Sequence, residues 1–368
     1  MGPDALSIPL LPWLELPSVV TLGAVRFVPV QTDAPELDGL GQFRAALIRR
    51  LAMFRCVGGM PRHTCTIAVH GERQDFSELG QAERSELYAA AQLLCFSVLA
   101  ENAYWTPNLG RYANSAVFRL EVHVVRTNGM RYGFPLQLTG RSAEVGGYEL
   151  DKMVITGPPQ SIFVKLPSPK QSLLQVLERM AVEPDCYGKG VFEAVRLFNS
   201  ALADDEWQDI GYVLATYYHA LNILLLPSGN KLDGILDSMA RLLGKQDRAQ
   251  IPNLSRWLKE LMLLRLPVVH GNDRQAVHRT VWEHAAMAAF AFPLLVKCTL
   301  ASHGYVLDRD DVTRTEALEQ LAGLDHPSQE SKTLPNVSTW HETLSSVRRN
   351  RYCQELAARL IAEREGNL

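Results

Sequence analysis

The sequence has no cysteines at the close spacing that binds zinc or builds a disulfide framework. Its six cysteines stand apart, at positions 56, 65, 95, 186, 298 and 353. Zinc modules and small secreted domains instead carry pairs such as Cys-x-x-Cys. His278 and His284 also make a poor metal pair, because a separation of six residues does not put two imidazoles on one helical face. We therefore expect reduced thiols and no metal site.

The sequence also shows no pattern typical of a signal peptide and no apolar run of membrane length. Its start, MGPDALSIPLLPWLELP, has no basic region before the apolar residues, and prolines interrupt those residues. We therefore expect no signal peptide. The nearest approach to a membrane span, residues 285–296, is shorter than the roughly 20 residues that cross a bilayer, and it contains Pro293. These absences predict a cytoplasmic protein that has no membrane segment.

No surplus of basic residues is present either. Lysine and arginine total 37 against 40 aspartates and glutamates, which gives a net charge of -3. This balance argues against a surface that coats nucleic acid, although it allows a local basic groove. The sequence contains no Gly-x-Ser-x-Gly, no His-Glu-x-x-His, no kinase signature and no glycine-rich phosphate loop in a strand–helix context. The common hydrolase, metalloprotease, kinase and nucleotide-binding classes thus gain no support from motifs.

The first part of the chain mixes strand and helix patterns. Alternating or β-branched runs predict strands, and apolar residues at helical spacing predict two helices. The predicted strands are 19–31 (one or two), 64–70, 116–126, 130–138, 152–156 and 161–165, and the helices are 36–54 and 81–105. Asn128-Gly129 between two strand runs is a strong hairpin signal. Residues 1–168 are therefore predicted to form an α+β domain with an antiparallel sheet.

The second part of the chain is predicted to be all-α. Pro167-Ser-Pro169 marks the boundary, so this domain covers residues 169–368. The predicted helices are 170–180, 190–203, 206–226, 231–243, 255–264, 273–300 and 338–365. In the third of these, the positions expected to face inward are Tyr212, Ala215, Tyr218, His219, Asn222 and Leu226. The last helix is amphipathic, with Trp340, Leu344, Val347 and Leu356 on one side, and it either caps the bundle or meets a partner.

One short stretch between two of these helices carries the candidate chemistry. Arg265-Leu-Pro-Val-Val-His270-Gly follows an apolar helical run, and a second helical run begins near Asp273. Pro267 and Gly271 are expected to break the chain here. Arg265 and His270 would then stand at the end of one helix and the start of the next. A fixed cation beside a titratable imidazole suits a phosphodiester substrate.

The sequence RLPVVHG in this helical setting resembles the Arg-x4-6-His signature of the HEPN superfamily, and residues 191–226 resemble that family's first two helices. The similarity covers roughly residues 182–300. It implies a metal-independent, cofactor-free endoribonuclease of stress response, toxin–antitoxin or phage-defence systems, with Arg265 and His270 as catalytic residues. It also implies an RNA substrate and a homodimer in which two copies of the motif face each other. The N-terminal domain would then recognise a trigger or a protein partner.

Other interpretations of the same residues stay open. Leu266 follows the arginine where catalytic members usually have a polar residue, and Asn222 stands where they often have an acidic one. Both favour a non-catalytic dimerisation or ligand-binding module in a sensor, and a nucleic-acid-binding regulator without activity is a third possibility. Arg265 would then cap helix carbonyls and His270 would be a capping or packing residue. Arg279 and His284 have the same spacing, and we interpret that match as chance. His219 either lines the same cleft or lies in the core.

Overall fold

The computed structural model divides the chain into two compact units. Unit 1 comprises Met1–Asn102, Gly110–Val182 and Leu202–Glu206, and unit 2 comprises Ala103–Leu109, Glu183–Ala201 and Trp207–Leu368. The structure describes residues 5–33, 41–55, 59–71, 77–101, 115–126, 133–138, 141–146, 155–156, 171–182, 186–203, 210–225, 232–270, 281–307, 316, 318–324, 340–342 and 344–347. The boundary predicted at 168 falls outside these residues.

The predicted fold class, α+β with an antiparallel sheet followed by helices, is confirmed. Five strands of unit 1 form one sheet in the order β2-β3-β5-β1-β6, and every neighbouring pair is antiparallel. A hairpin of β7 and β8 and a short parallel pair of β4 and β9 complete the described strands. The strands are β1 Ala5–Leu11, β2 Val20–Leu22, β3 Val25–Gln31, β4 Phe54–Arg55, β5 Thr64–His70, β6 Glu121–Arg126, β7 Gly133–Leu138, β8 Arg141–Gly146 and β9 Ile155–Thr156.

Strand β1 is the main feature of the sheet that the sequence did not predict. It lies between β5 and β6 although it contains Pro9, which lacks the N–H that a ladder needs. Its register with β5 covers only Leu10 and Leu11, whereas its register with β6 runs from Ala5 to Leu10. Within the described pairings, Pro9 therefore has a strand neighbour on one side only. A proline is tolerated there as it is on an edge strand.

Of the strand predictions near β6, one differs from the structure and others fall outside the described residues. The predicted strand from residue 116 begins only at Glu121, because Ser115–Phe118 forms a short 3-10 helix that buries Val117 and Phe118. Residues 127–132, with the predicted Asn-Gly turn, are outside the described part, as is the predicted strand 161–165. The described pairings join β6 to β1 and β7 to β8.

Within the described residues of unit 1, three α-helices form: α1 Gly41–Leu51, α2 Gln81–Glu101 and α3 Gln171–Val182. Helix α2 begins with a carboxylate at its N-terminus, since the backbone N of Gly80 donates to Glu83 Oε2 at 2.7 Å. That bond satisfies one of the free N–H groups at a helix start. α2 contacts β3, β5 and α3, and α1 contacts β1. The long predicted helix 81–105 is thus confirmed as far as Glu101.

Unit 2 is helical wherever the structure describes it. Helix α5 contacts α4, α6, α7 and α8, so it is the central helix of this unit. The helices are α4 Cys186–Ala201, α5 Ile210–Leu225, α6 Leu232–Leu242, α7 Pro252–His270 and α8 Val281–Ser302. A 3-10 turn, Arg248–Gln250, precedes α7, a π-helical turn spans Gln320–Leu324, and helical residues follow at 340–342 and 344–347.

Aromatic rings link α5 to its neighbours in the core of unit 2. Phe198 of α4 stacks on Phe292 of α8 with ring centroids 4.6 Å apart, and Tyr217 of α5 lies 5.8 Å from Phe198. The inward positions predicted for α5 are only partly right. Tyr218 and Asn222 are buried, but Tyr212 is 54% exposed and His219 is exposed. The buried set instead includes Leu214, Tyr217 and Leu221.

Helix α8 contains an apolar stretch longer than predicted. Residues Glu283–Ser302 form 20 helical residues with a mean hydropathy of 1.6, which is long and apolar enough to cross a membrane. The helix continues through Pro293, as the predicted helix 273–300 required. Of this window, 89% is buried inside the fold. Such burial is consistent with the core helix of a soluble protein.

Candidate functional site

Arg265 and His270 both lie in the last six residues of α7. The predicted chain break at Pro267 is wrong, because the helix continues through this residue to His270. Pro267 cannot donate to the carbonyl oxygen of Leu263. Leu263 lies on the exposed side of the helix, with 59% of its surface exposed. Position 271, where a second break was predicted, lies outside the described residues.

The two candidate residues therefore share one helix instead of spanning an elbow. Positions five apart on an α-helix are separated by about 140° around the axis and roughly 7.5 Å along it. One flat surface of a single α7 cannot hold both positions. Both positions lie in the last six residues of α7 as the structure describes it.

The apolar face of α7 anchors this helix in unit 2. Leu254, Trp257, Leu258 and Leu261 are each 0% exposed, whereas Leu263 lies on the exposed side. Their spacing of three or four residues forms one stripe along the helix. α7 contacts α5, α8 and the π-helical turn. The helix that carries the motif is therefore held by the core over its first ten or so residues.

A histidine that the sequence analysis set aside makes the most specific contacts in this region. His284 of α8 is 1% exposed, and its Nε2 lies 3.7 Å from Glu260 Oε2 on α7. The same oxygen accepts a hydrogen bond from Trp340 Nε1 at 2.8 Å. The rings of His284 and Trp340 have centroids 4.8 Å apart at an angle of 49°. These residues form the Glu260–His284–Trp340 cluster.

The cluster holds a neutral imidazole at physiological pH. Burial lowers the pKa of His284 to about 4, because a charged ring would lose its hydration. Its Nδ1 is buried and has no hydrogen-bond partner among the described residues. A neutral, sealed imidazole cannot reach a substrate as it stands. The Arg279–His284 spacing is therefore a poor candidate for catalysis in this conformation.

This burial predicts an acid sensitivity of unit 2. Since the pKa of His284 is about 4 in the fold and about 6.5 in an unfolded chain, its contribution is fully present above pH 6.5. The contribution is lost as pH falls from 6.5 through 4. We expect the unfolding free energy to drop by about 2–3 kcal/mol between pH 7.5 and 4.5 from this residue. Denaturant unfolding at the two pH values, followed on the unit 2 transition, measures the loss.

The matched comparison isolates His284 from the carboxylates that also titrate in this range. His284→Phe keeps a ring in the site and should lose that part of the pH dependence, whereas the exposed His219 gives a control variant, His219→Phe, that should behave like the wild type. An equal pH dependence in all three proteins would contradict the assignment.

The other candidate residues are distributed over α5 and its surroundings. Asn222 is 8% exposed within α5, so it belongs to the core and not to a surface. A core position was one alternative for His219, but this residue is exposed. It lies about two helical turns after the exposed Tyr212. On α4, Arg196 donates two hydrogen bonds to Glu193, at 2.9 and 2.6 Å. That contact lowers the pKa of the Glu193 carboxyl.

Metal and thiol chemistry gain no support from the described part of the chain. No group of three or more His, Cys, Asp or Glu residues there could hold a metal ion. The thiols of Cys65, Cys95 and Cys298 are buried. Burial raises the pKa of Cys65 to about 12 and that of Cys95 well above its ordinary value. Because the thiolate is the nucleophile, these two thiols are chemically inert in the folded protein.

No family model, no curated protein and no solved structure matches the chain. The functional assignment therefore depends on the motif and on the setting of α7 and α8 alone.

Proposed function

We propose that unit 2 is a metal-independent endoribonuclease of the HEPN type, with Arg265 and His270 as its catalytic residues. The observation that carries the proposal is the placement of both residues in the last six positions of α7, within a unit that is helical wherever it is described. The apolar stripe of α7 holds the helix from Leu254 to Leu261. The motif is thus attached to a rigid element, as a catalytic group requires.

The chemistry needs only a base, an acid and a cation. His270 takes the proton of a ribose 2′-OH, and the oxygen attacks the adjacent phosphorus. Arg265 contacts the non-bridging oxygens, where charge accumulates in the transition state. The bond from phosphorus to the 5′ oxygen breaks, and an acid protonates the leaving oxygen. The products are a 2′,3′-cyclic phosphate and a 5′-OH.

A homodimer completes this site in the proposal. Positions 265 and 270 are separated by about 140° around one helix. One protomer therefore cannot present both positions to the same flat surface of a substrate. A two-fold axis next to α7 would bring the arginine of one copy toward the histidine of the other. It would also supply a second imidazole as the acid. Unit 1 would recognise a trigger or a protein partner, and the enzyme would act in the cytoplasm in stress response, toxin–antitoxin or phage defence.

The test is incubation of the purified chain with a mixed RNA pool in EDTA. Cleavage to fragments with 2′,3′-cyclic phosphate and 5′-OH ends is the expected result, and mass spectrometry of the fragments identifies the ends. Loss of activity in Arg265→Ala and His270→Ala would assign it to the motif. Cleavage that survives both substitutions, or that needs a divalent metal, would refute the proposal.

A second candidate function is favoured by the burial of Asn222. This residue occupies the position where catalytic members often carry an acidic side chain, and it is only 8% exposed. A core amide fits a helical module that dimerises or binds a ligand or nucleic acid without cleaving it. This alternative predicts a dimer and, for RNA, binding that weakens steeply with salt while the RNA stays intact. Gel-shift measurements at several salt concentrations, with the RNA recovered afterwards, separate the two functions.

A further inference from the structure

The helical segment 340–347 carries an apolar stripe that is buried in unit 2. Trp340, Leu344 and Val347 are 1%, 3% and 7% exposed, while Glu342, Ser345 and Ser346 are exposed. The buried residues are spaced by four and three positions, so they share one face of a helix. This face docks the described residues of the segment on unit 2.

One polar contact fixes where this segment docks. Trp340 Nε1 donates to Glu260 Oε2 at 2.8 Å, and the Trp340 ring lies against the ring of His284. Glu260 belongs to α7 and His284 to α8, so the tryptophan bridges α8 and the helix that carries the candidate motif. Glu260 keeps 33% of its side chain exposed, whereas His284 keeps 1%. The imidazole is thus more completely shielded from solvent than the carboxylate.

The covered pair has a chemistry of its own. His284 Nε2 and Trp340 Nε1 face the same carboxylate oxygen, at 3.7 and 2.8 Å. With Trp340 in place, Glu260 is occupied and His284 Nδ1 is buried without a described hydrogen-bond partner. With Trp340 removed, water would fill the place of its ring and reach the imidazole of His284. The Glu260 carboxylate would then be free to orient that imidazole. A carboxylate–imidazole pair open to water transfers protons.

We propose that segment 340–347 is a releasable strap, clamped on α7 and α8 by Trp340, which seals the Glu260–His284 pair while it is docked. Its contact with α7 lies five residues before Arg265, roughly 7.5 Å along the helix axis. Release of the strap would therefore loosen α7 next to the candidate motif and expose a second acid–base pair. Only the link to RNA cleavage rests on the proposed function; the sealing of His284 does not.

Labelling with diethyl pyrocarbonate tests the strap directly, because this reagent acylates neutral imidazoles that water can reach. Peptide mass spectrometry at pH 7 gives a rate for each histidine of the full-length chain. His219 and His303 are exposed and serve as internal controls. We expect His284 in the wild type to react at least about tenfold more slowly than either control, and Trp340→Ala to remove most of that protection.

Two further variants separate the strap from a general loss of structure. Trp340→Phe keeps a ring and removes the N–H donor, so the protection of His284 should fall by about tenfold or less. Leu344→Ala weakens docking on the same face while leaving the Glu260–His284 contact untouched, and it should also raise the labelling of His284. Thermal unfolding of each variant shows whether unit 2 stays folded.

Two results would overturn the strap. In one, His284 of the wild type reacts as fast as His219. In the other, His284 stays protected in both Trp340→Ala and Leu344→Ala while the proteins remain folded. These outcomes are independent of nuclease activity. If RNA is cleaved, His270→Ala should abolish cleavage without changing the labelling of His284, whereas Trp340→Ala should change both the cleavage rate and the labelling. Failure of the nuclease and failure of the strap are thus distinguishable.

Discussion

Replacing His270 by alanine is expected to lower the rate constant for RNA cleavage by about 10²–10⁴-fold, the contribution typical of a general acid or base. Arg265→Ala should lower it by about 10²–10³-fold, since it removes a donor to the charged transition state. Arg265→Lys keeps the charge and loses the paired donors, so it should recover only part of the rate. Single-turnover cleavage of a labelled RNA in EDTA measures all three.

A matched control and a mixing experiment sharpen this prediction. His303→Ala removes an exposed histidine at the end of α8 and should leave the rate unchanged. If arginine and histidine act across a two-fold axis, mixing Arg265→Ala with His270→Ala places one intact pair in each mixed dimer. Random exchange would then restore at most about one quarter of the wild-type rate, because the mixed dimer keeps only one of its two imidazoles. No recovery in dimers that demonstrably exchange would mean that each protomer supplies its own pair or that both imidazoles are required, and a wild-type rate in His270→Ala would contradict its role.

Trp257→Ala is expected to reduce the unfolding free energy of unit 2 by about 3–5 kcal/mol. Trp257 is 0% exposed on the buried stripe of α7, and its removal leaves a cavity between this helix and its neighbours. Its Nε1 is buried without a hydrogen-bond partner among the described residues. Trp257→Phe should therefore cost much less, because it fills most of the volume and removes an unsatisfied donor.

The exposed face of the same helix supplies the control. Leu263→Ala removes a side chain that is 59% exposed and should change the unfolding free energy by less than about 0.5 kcal/mol. Chemical denaturation, analysed for the transition of unit 2 alone, gives the three values. Equal losses in Trp257→Ala and Leu263→Ala would mean that α7 is not anchored by this stripe.

Sequence patterns predict some of the described elements closely and others poorly. Strand β5 has the predicted bounds, Thr64–His70, because its β-branched residues and short apolar run are typical of a strand. Helix α5 is predicted less well. It contacts four other helices, so apolar residues occur around most of its circumference and its inward face cannot be read from spacing. Strand β1 was not predicted, and its Pro9 lacks the N–H that a regular ladder needs.

The candidate site was also predicted only in part. Arg265 and His270 are close in sequence, so a motif identifies them. The helix that continues through Pro267 was not predicted, since proline usually ends a helix. The Glu260–His284–Trp340 cluster was not predicted at all. Its tryptophan is 80 residues from its glutamate, and no local pattern reports so distant a contact. The one available signal was a histidine, His284, within the apolar residues of α8.

The sealed thiols give each unit a built-in reporter of its own opening. Cys65 and Cys95 lie in unit 1 and Cys298 lies in unit 2, and all three thiols are buried. A maleimide added to the native protein can modify these three sites only during excursions that admit solvent. Mass spectrometry gives the order in which the three thiols acquire the adduct. That order would show which unit opens to solvent first, without any mutation.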